Sequence, residues 1–330
     1  MTTAPFSTLT PDLILDAMGS VDILGDGRLL ALNSYENRVY QVGVEEQPPV
    51  VVKFYRPDRW SEAQILEEHA FSLELVEAEI PVVAPLALGG KTLQQYQGFH
   101  FAVFPRRGGR IPELDQEGRL EWIGRFLGRI HAIGAQAAFQ HRPAIDIDSF
   151  GEEPSQWLIN HQFIPADLLP AYRSVVTQAL DGIRACYERA GDVAVLRLHG
   201  DCHLSNMLWT DDGPHFVDFD DSRMGPAIQD LWMLLSGSPA EMSQQFAEVL
   251  EGYESFYDFN PAELHLVEAL RTLRLIHYSA WLAKRWHDPA FPMTFTWFNT
   301  QQYWQDRILE LREQVALMQE PPLSIAGGNR

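Results

Sequence analysis

The hydrophobic pattern of this 330-residue chain changes character at about residue 118. Before that point, short runs rich in β-branched residues are separated by turns, which is typical of strands. After it, apolar residues recur mainly at helical spacing. We therefore predict an α+β fold with two lobes, a small N-terminal lobe over residues 1–105 and a larger, mainly helical lobe over 106–330. The turn-rich segment 105–118 is the predicted hinge.

Charge and cysteine content exclude several classes of function. The chain has 25 Lys and Arg against 45 Asp and Glu, so its net charge is −20. Such a surface repels nucleic-acid phosphates and anionic lipid headgroups. The two cysteines, Cys186 and Cys202, argue against a disulfide framework. Because the chain has neither a signal-peptide pattern nor a membrane-spanning apolar run, we expect a cytoplasmic protein. We also expect a monomer.

The first lobe contains one predicted helix among predicted strands. The helix covers 61–80 with Ser61 as its N-cap, and Glu68 lies on it in a partly apolar column. "IPVVAPLAL" (80–88) and "QGFHFAVFP" (97–105) are predicted as strands after it. The helix also has a stripe of apolar residues at helical spacing, which consists of Leu66, Ala70, Leu73, Val76 and Ile80.

A lysine interrupts the most β-branched run of this lobe. Lys53 lies within "PPVVVKFYRP", and burying an unpaired ammonium group is costly. It therefore needs a carboxylate or a ligand phosphate, unless it lies at an exposed edge and reaches solvent. Glu68 is a suitable partner, and Glu67 is the alternative.

Three polar residues in the second half have the spacing of a phosphoryl-transfer site. In "LHGDCHLSNMLW" (198–209), Asn206 follows Asp201 by five positions, and Asp218 follows in "HFVDFDD". A carboxylate can accept the proton of an attacking hydroxyl, and amide and carboxylate oxygens suit Mg²⁺. This order is the kinase catalytic-loop signature. The alternative is that Asp201 and Asn206 simply cap turns.

A polar segment between the first two predicted strands occupies the place of a phosphate-covering loop. "LNSYENRVYQV" (32–42) has no glycines and is not a Walker sequence. Ser34 and the backbone amides of 34–38 could bind phosphate oxygens. A plain hairpin turn explains the same residues equally well.

Together these motifs resemble those of aminoglycoside phosphotransferases and choline kinases, a protein-kinase-like superfamily. Within it, the chain is most similar to the bacterial stress response kinase A family. The resemblance extends over nearly the whole chain, and its motifs are "LNSYENRVYQV", "VVVKFYRP", "ILEEHAF", "FHFAVFPRRGGR", "LRLHGDCHLSNMLW" and "FVDFDDSRMGPAIQDLWML".

The resemblance implies a bilobal protein-kinase-like fold with a small antiparallel sheet and one key helix in the N-terminal lobe. It implies ATP in the cleft near "FPRR", and a cytoplasmic serine/threonine protein kinase of stress responses that also phosphorylates itself. It implies these residue roles: Asp201 as catalytic base, Asn206 and Asp218 as Mg²⁺ ligands, Lys53 and Glu68 positioning phosphates, and Ser34 contacting ATP.

The chain departs from ordinary protein kinases in its metal motif, which continues with Asp220 where they have glycine. "GPAIQDLWML" starts only seven positions after Asp218 (225 − 218), which leaves no room for a long activation loop. We expect Asp230 in that segment to anchor the catalytic loop. Two alternatives stay open: a kinase of an amino alcohol, sugar or aminoglycoside, and an inactive ATP-binding pseudokinase.

Overall fold

The computed structural model describes residues 5–324, and these fall into two compact units. The first takes in the chain up to Pro112, together with Gln140–Arg142 and Leu204–Asp221. The second consists of Glu113–Phe139, Pro143–His203 and the chain from Ser222 onward. Of the predicted N-terminal lobe, 1–105, the described residues 5–105 belong to the first unit. The composition of the tail "PPLSIAGGNR" (321–330) predicts that it is frayed; residues 325–330 of this tail lie outside the described residues.

The described part of the chain contains nine strands and ten α-helices. The strands are β1 Gly25–Ala31, β2 Arg38–Val44, β3 Gln47–Phe54, β4 Gln94–Tyr96, β5 Phe99–Pro105, β6 Leu196–Leu198, β7 Met207–Thr210, β8 Gly213–Phe216 and β9 Arg223–Gly225. The helices are α1 Pro11–Gly19, α2 Glu62–Glu77, α3 Arg119–Gly134, α4 Glu153–Asn160, α5 Leu169–Ala190, α6 Ile228–Trp232, α7 Pro239–Tyr253, α8 Val267–Lys284, α9 Ala290–Thr294 and α10 Gln301–Leu317.

A five-stranded antiparallel sheet forms the frame of the first unit, in the order β1-β2-β3-β5-β4. Its central strand β3 is the β-branched run that contains Lys53. The apolar face of the sheet packs on α1 through Val42, Val52, Phe54 and Phe101. The α+β class and the antiparallel sheet are therefore as predicted.

One local prediction for the first unit was wrong, and one helix was missed. The segment 80–88 is extended but is not a strand, apart from isolated bridges such as Val82 to Phe216. Pro81 and Pro85 have no N–H to donate, so the segment cannot continue a ladder. In addition, α1 was not predicted, although Thr10 caps it and Pro11 opens it.

Helix α2 starts after Ser61 as predicted, and Gln64 completes a capping box with that residue. Its buried face, however, is not the predicted apolar stripe, since Leu66 is 41% exposed and Val76 is 43% exposed. The face turned inward includes Ile65, Glu68, His69, Phe71 and Leu75. The column that contains a carboxylate is therefore the one that is buried.

The second unit is mainly helical, and close packing of glycines joins α3 to α7. A Cβ atom on Gly124 would lie 2.0 Å from the carbonyl oxygen of Val249, and one on Gly128 would lie 2.4 Å from that of Tyr253. Larger residues would force the helices apart. Trp304 and Tyr172 are buried in one core cluster with their ring centroids 5.9 Å apart, so this tryptophan packs the helices together. No helix in the described range 5–324 is long and apolar enough to cross a membrane.

Candidate active site

Lys53 lies at the centre of a buried charge cluster in the first unit. Its Nζ atom is 2.8 Å from Oδ1 of Asp218 and 3.2 Å from Oδ1 of Asp220. Burial alone would lower the pKa of Lys53, but the charges of Asp218, Asp220 and Glu68 outweigh it and raise the pKa above its usual value. The ammonium group is therefore charged, and its charge faces the carboxylates of the predicted metal motif.

Glu68 is near this cluster but does not pair with Lys53. It is only 2% exposed, and its Oε2 atom has no hydrogen-bond partner. Among the described residues, no ion pair within 4.0 Å joins it to Lys53. Burial raises the pKa of Glu68 to about 7, although the nearby Lys53 charge acts in the opposite direction. Glu68 therefore keeps its proton to a higher pH than an exposed glutamate does.

The neighbouring Glu67 has a different role. Its carboxylate accepts hydrogen bonds from the backbone N–H groups of Gln140, His141 and Arg142, at 2.6, 2.9 and 2.9 Å. Burial alone would raise the pKa of Glu67, but these three donors lower it. Glu67 thus ties the segment 140–142 to α2, and Glu68 is the carboxyl whose charge acts on Lys53.

A short hairpin brings Asn206 and Asp218 together. Strands β7 and β8 pair with Met207 opposite Phe216, and the N–H of Val217 donates to the carbonyl oxygen of Asn206 at 3.0 Å. Asp218 follows with φ of 62°, a left-handed conformation that Asp tolerates better than most residues. Its side chain is 54% exposed. The two predicted metal ligands therefore leave the same end of one hairpin.

The donor chemistry of this hairpin end suits a hard divalent cation. An amide oxygen and a carboxylate are ligands that Mg²⁺ prefers, and Mg²⁺ in kinase sites uses one or two carboxylates with phosphate oxygens and waters. Within residues 5–324, no group of three or more His, Cys, Asp and Glu side chains is placed to hold a metal. Asn206 and Asp218 therefore have the donor types that such a kinase site needs.

The predicted phosphate loop contains no glycine, and side-chain hydrogen bonds hold it in place. The Ser34 hydroxyl donates to the carbonyl oxygen of Asn37 at 3.0 Å. Asn37 in turn donates to Asp220 at 3.2 Å and accepts from the backbone N–H of Arg56 at 3.0 Å. The loop is therefore linked to the metal-motif segment through Asn37, a residue that the sequence analysis did not single out.

Asp220 and Arg59 also belong to this cluster, and neither was predicted as a site residue. Arg59 forms ion pairs with Asp220 and with Asp221. Burial alone would raise the pKa of Asp220, but Arg59 and Lys53 lower it. The available signals were the arginines that directly follow β3 in "FYRPDRW" and the unusual Asp in the metal motif.

Asp201 lies in the second unit, between two cationic or polar groups. Its Oδ1 is 2.6 Å from Nη1 of Arg274 on α8, and its Oδ2 is 3.3 Å from Nε2 of His203. Burial alone would raise the pKa of Asp201, but the hydrogen bond from His203 and the charge of Arg274 lower it below its usual range. Asp201 is thus an ionised carboxylate, and Arg274 is a partner that no motif predicted.

Asp230 anchors the loop that carries Asp201, as predicted. This fully buried carboxylate accepts from the backbone N–H groups of His199 at 2.8 Å and Gly200 at 2.9 Å. Its Oδ2 atom also contacts His131, whose other ring nitrogen is 2.7 Å from the Tyr253 hydroxyl. Gly200 has φ of 85°, a conformation that requires glycine at this position.

The structure thus places the predicted site residues in two groups. Lys53, Glu68, Asn206 and Asp218 belong to the first unit, as does Ser34. Asp201 belongs to the second, because the division of the chain falls between His203 and Leu204. The catalytic-loop motif therefore contributes to both units.

Comparison with known proteins relates this arrangement to phosphotransferases. Residues 28–267 match the family described as "Phosphotransferase enzyme family". The chain is 48% identical over 320 residues to stress response kinase A of Escherichia coli (strain K12), covering 97% of each protein. It is equally similar to the serine/threonine protein kinase RdoA of Salmonella typhimurium, again with 97% of each covered.

Solved structures agree at the level of the fold. The amicoumacin kinase hAmiN, solved in complex with AMP-PNP, Ca²⁺ and Ami, superposes with a TM-score of 0.72 at 20% identity, covering 95% of this chain and 94% of that one. A microcompartment-associated aminopropanol kinase gives 0.70 at 18% identity, covering 94% and 96%. The extent of the sequence matches goes further and shows that the chain is a kinase that belongs to the phosphotransferase enzyme family and, within it, to the stress response kinase A group.

Proposed function

We propose that the protein is an ATP- and Mg²⁺-dependent serine/threonine protein kinase that acts in stress responses and phosphorylates itself. The observation that supports the ATP site best is the buried Lys53, whose charge is matched by Asp218 beside the Asn206 hairpin end. A protein acceptor is supported by the 48% identity to relatives named as stress response and serine/threonine protein kinases.

In this proposal, Lys53 binds the phosphates of ATP, and the negative charge of Glu68 helps to keep Lys53 protonated. Asp218 is half-exposed and touches Lys53 through Oδ1, so it can give up that contact to a phosphate oxygen. Asn206 and Asp218 would hold Mg²⁺, which neutralises charge on the phosphates when bound. Ser34 and the amides of its loop would cover the phosphates, held in place by Asn37.

Asp201 would receive the acceptor hydroxyl. The hydroxyl oxygen bonds to the γ-phosphorus as the bond from that phosphorus to the bridging oxygen of ADP breaks, and the hydroxyl proton passes to Asp201. Because the pKa of Asp201 is low, the carboxylate is ionised and ready to accept a hydrogen bond from the hydroxyl. The Asp230 contacts keep this loop in one conformation.

A transfer assay tests the proposal. The purified protein is incubated with labelled ATP, Mg²⁺ and a generic protein substrate, and phosphoserine and phosphothreonine are mapped by mass spectrometry. Asp201→Asn should abolish transfer to substrate and to the protein itself, whereas Asp212→Asn, at an exposed residue in the β7–β8 turn, should not. Absence of transfer by the wild-type protein, or transfer unaffected by Asp201→Asn, would contradict the proposal.

A kinase of small alcohols is the competing function, and the same preparation distinguishes it. Rapid ATP consumption with an amino alcohol, sugar or aminoglycoside, in the absence of protein substrate, would favour it. ATP binding without any transfer would favour a pseudokinase. We further infer a cytoplasmic monomer that binds neither nucleic acid nor membrane, in keeping with the net charge of −20; cell fractionation and light scattering test this.

A further inference from the structure

A cationic side chain lies directly against the proposed catalytic base. Arg274 on α8 donates from Nη1 to Oδ1 of Asp201 at 2.6 Å. In the described part of the chain, Asp201 is the one carboxylate within ion-pair distance of this guanidinium. The side chain of Arg274 is 38% exposed. A guanidinium has five N–H donors in a planar fork, so donors remain for a second group outside the protein.

The charge of Arg274 is placed to act on an acceptor that reaches Asp201. An acceptor hydroxyl that reaches Asp201 must come close to Arg274 as well, since both groups share one hydrogen bond. Arginine is charged at every accessible pH. An acceptor that has an ammonium group near its hydroxyl is then repelled, whereas one with a neighbouring carboxylate is attracted and can bind the spare donors.

We propose that Arg274 is a specificity-determining residue of the acceptor site, one that selects Ser or Thr in neutral or acidic peptides and disfavours acceptors with a cationic amine beside the hydroxyl. This inference rests on the proposed function, because it takes Asp201 as the base. Through its charge, Arg274 helps to exclude the acceptors of kinases that act on amino alcohols or aminoglycosides.

Arg271, one turn earlier on α8, provides a matched control. It is 3.5 Å from Glu268 on the same helix, and its guanidinium lies 5.2 Å from the centre of the Trp232 ring. Its charge is therefore compensated locally, and it does not contact Asp201. Removing it takes away the same formal charge from the same helix without altering the immediate surroundings of the base.

The test compares full-length wild type, Arg274→Gln, Arg274→Lys and Arg271→Gln on three synthetic peptides. The peptides contain one serine and differ only in flanking Glu, Gln or Lys, and ethanolamine is a fourth acceptor. We expect the wild type to favour the Glu peptide over the Lys peptide roughly tenfold in kcat/KM. Arg274→Gln should reduce this ratio toward one, mainly through KM for the peptide. Arg274→Lys and Arg271→Gln should preserve it.

An unchanged peptide ratio in Arg274→Gln would overturn the inference, as would an equal loss of kcat on all acceptors or an effect confined to KM for ATP. Loss of the ratio in Arg274→Lys would also overturn it, since that variant keeps the charge. Thermal unfolding shows whether each variant folds. If Arg274→Gln does not fold, Arg274→Met replaces it, because methionine is also neutral, long and unbranched. Failure of the wild type to phosphorylate any peptide or itself would refute the proposed function instead.

Discussion

Replacing Glu68 by Gln should stabilise the protein at alkaline pH and leave it nearly unchanged at acidic pH. Glu68 is buried without a hydrogen bond to Oε2, and its pKa is raised from 4.5 to about 7. A carboxyl whose pKa is raised by folding favours the folded state fully below 4.5. That contribution is lost as the pH rises through 7, because the ionised form is the one that burial penalises.

The size of the effect follows from the two pKa values. A change from 4.5 to about 7 corresponds to about 3 kcal/mol between fully protonated and fully ionised Glu68. Between about pH 5 and pH 8, the free energy of unfolding of the wild type should fall by about 2–3 kcal/mol relative to Glu68→Gln. Urea unfolding of both proteins at several pH values, followed by circular dichroism, measures this difference.

Glu67→Gln is the matched control, because it removes the adjacent carboxylate with the opposite expected sign. The pKa of Glu67 is lowered by its backbone donors, so its ionised form stabilises the folded state above the unfolded pKa. That contribution is lost as the pH falls. Glu67→Gln should therefore be less stable than wild type at pH 8, with a smaller gap in acid. A pH-independent difference between wild type and Glu68→Gln would refute the reasoning.

Three other substitutions test the remaining contacts. Asp218→Asn should weaken Mg²⁺-dependent ATP binding by roughly tenfold or more, which calorimetry with and without Mg²⁺ measures; unchanged affinity would contradict its role. Asn37→Ala removes the bonds to Asp220 and to the Arg56 amide, so it should raise KM for ATP more than it lowers kcat. Asp230→Ala leaves two buried backbone N–H groups without an acceptor and should lower the free energy of unfolding by roughly 3 kcal/mol or more in denaturant titrations.

The sequence predicted features that depend on local patterns. The capping box of α2, the run of β3 and the spacing of the catalytic-loop motif are all contained in short stretches. The buried anchor Asp230 was also predictable, because a lone carboxylate in an apolar helix start needs donors nearby. These features follow from propensity and from the cost of burying charge, so one sequence is enough to find them.

Features that depend on long-range packing were not predictable in the same way. Lys53 and Asp218 are 165 positions apart, and nothing in either segment shows that Lys53 pairs with Asp218 and not with Glu68. Helical spacing in α2 defines columns but does not say which one faces the core, so the apolar stripe with Leu66 and Val76 is largely exposed. Arg274 lies outside every motif, and only the fold brings it to Asp201.

Under the proposed function, one carboxylate of the metal motif holds the site together and the other binds the ligand. Asp220 is buried and bound by Lys53, Arg59 and Asn37, so it stabilises the charge cluster permanently. Asp218 is half-exposed and bonded through one oxygen to Lys53. Under the proposed function, a phosphate would replace it there, and Asp218 would bind the cation. Burial raises the pKa of Glu68, which reduces the negative charge that this carboxyl adds to the cluster near neutral pH. The acid at 220, where ordinary protein kinases have glycine, is therefore a buried countercharge for both Lys53 and Arg59, and Asp221 and Glu36 add to it at Arg59.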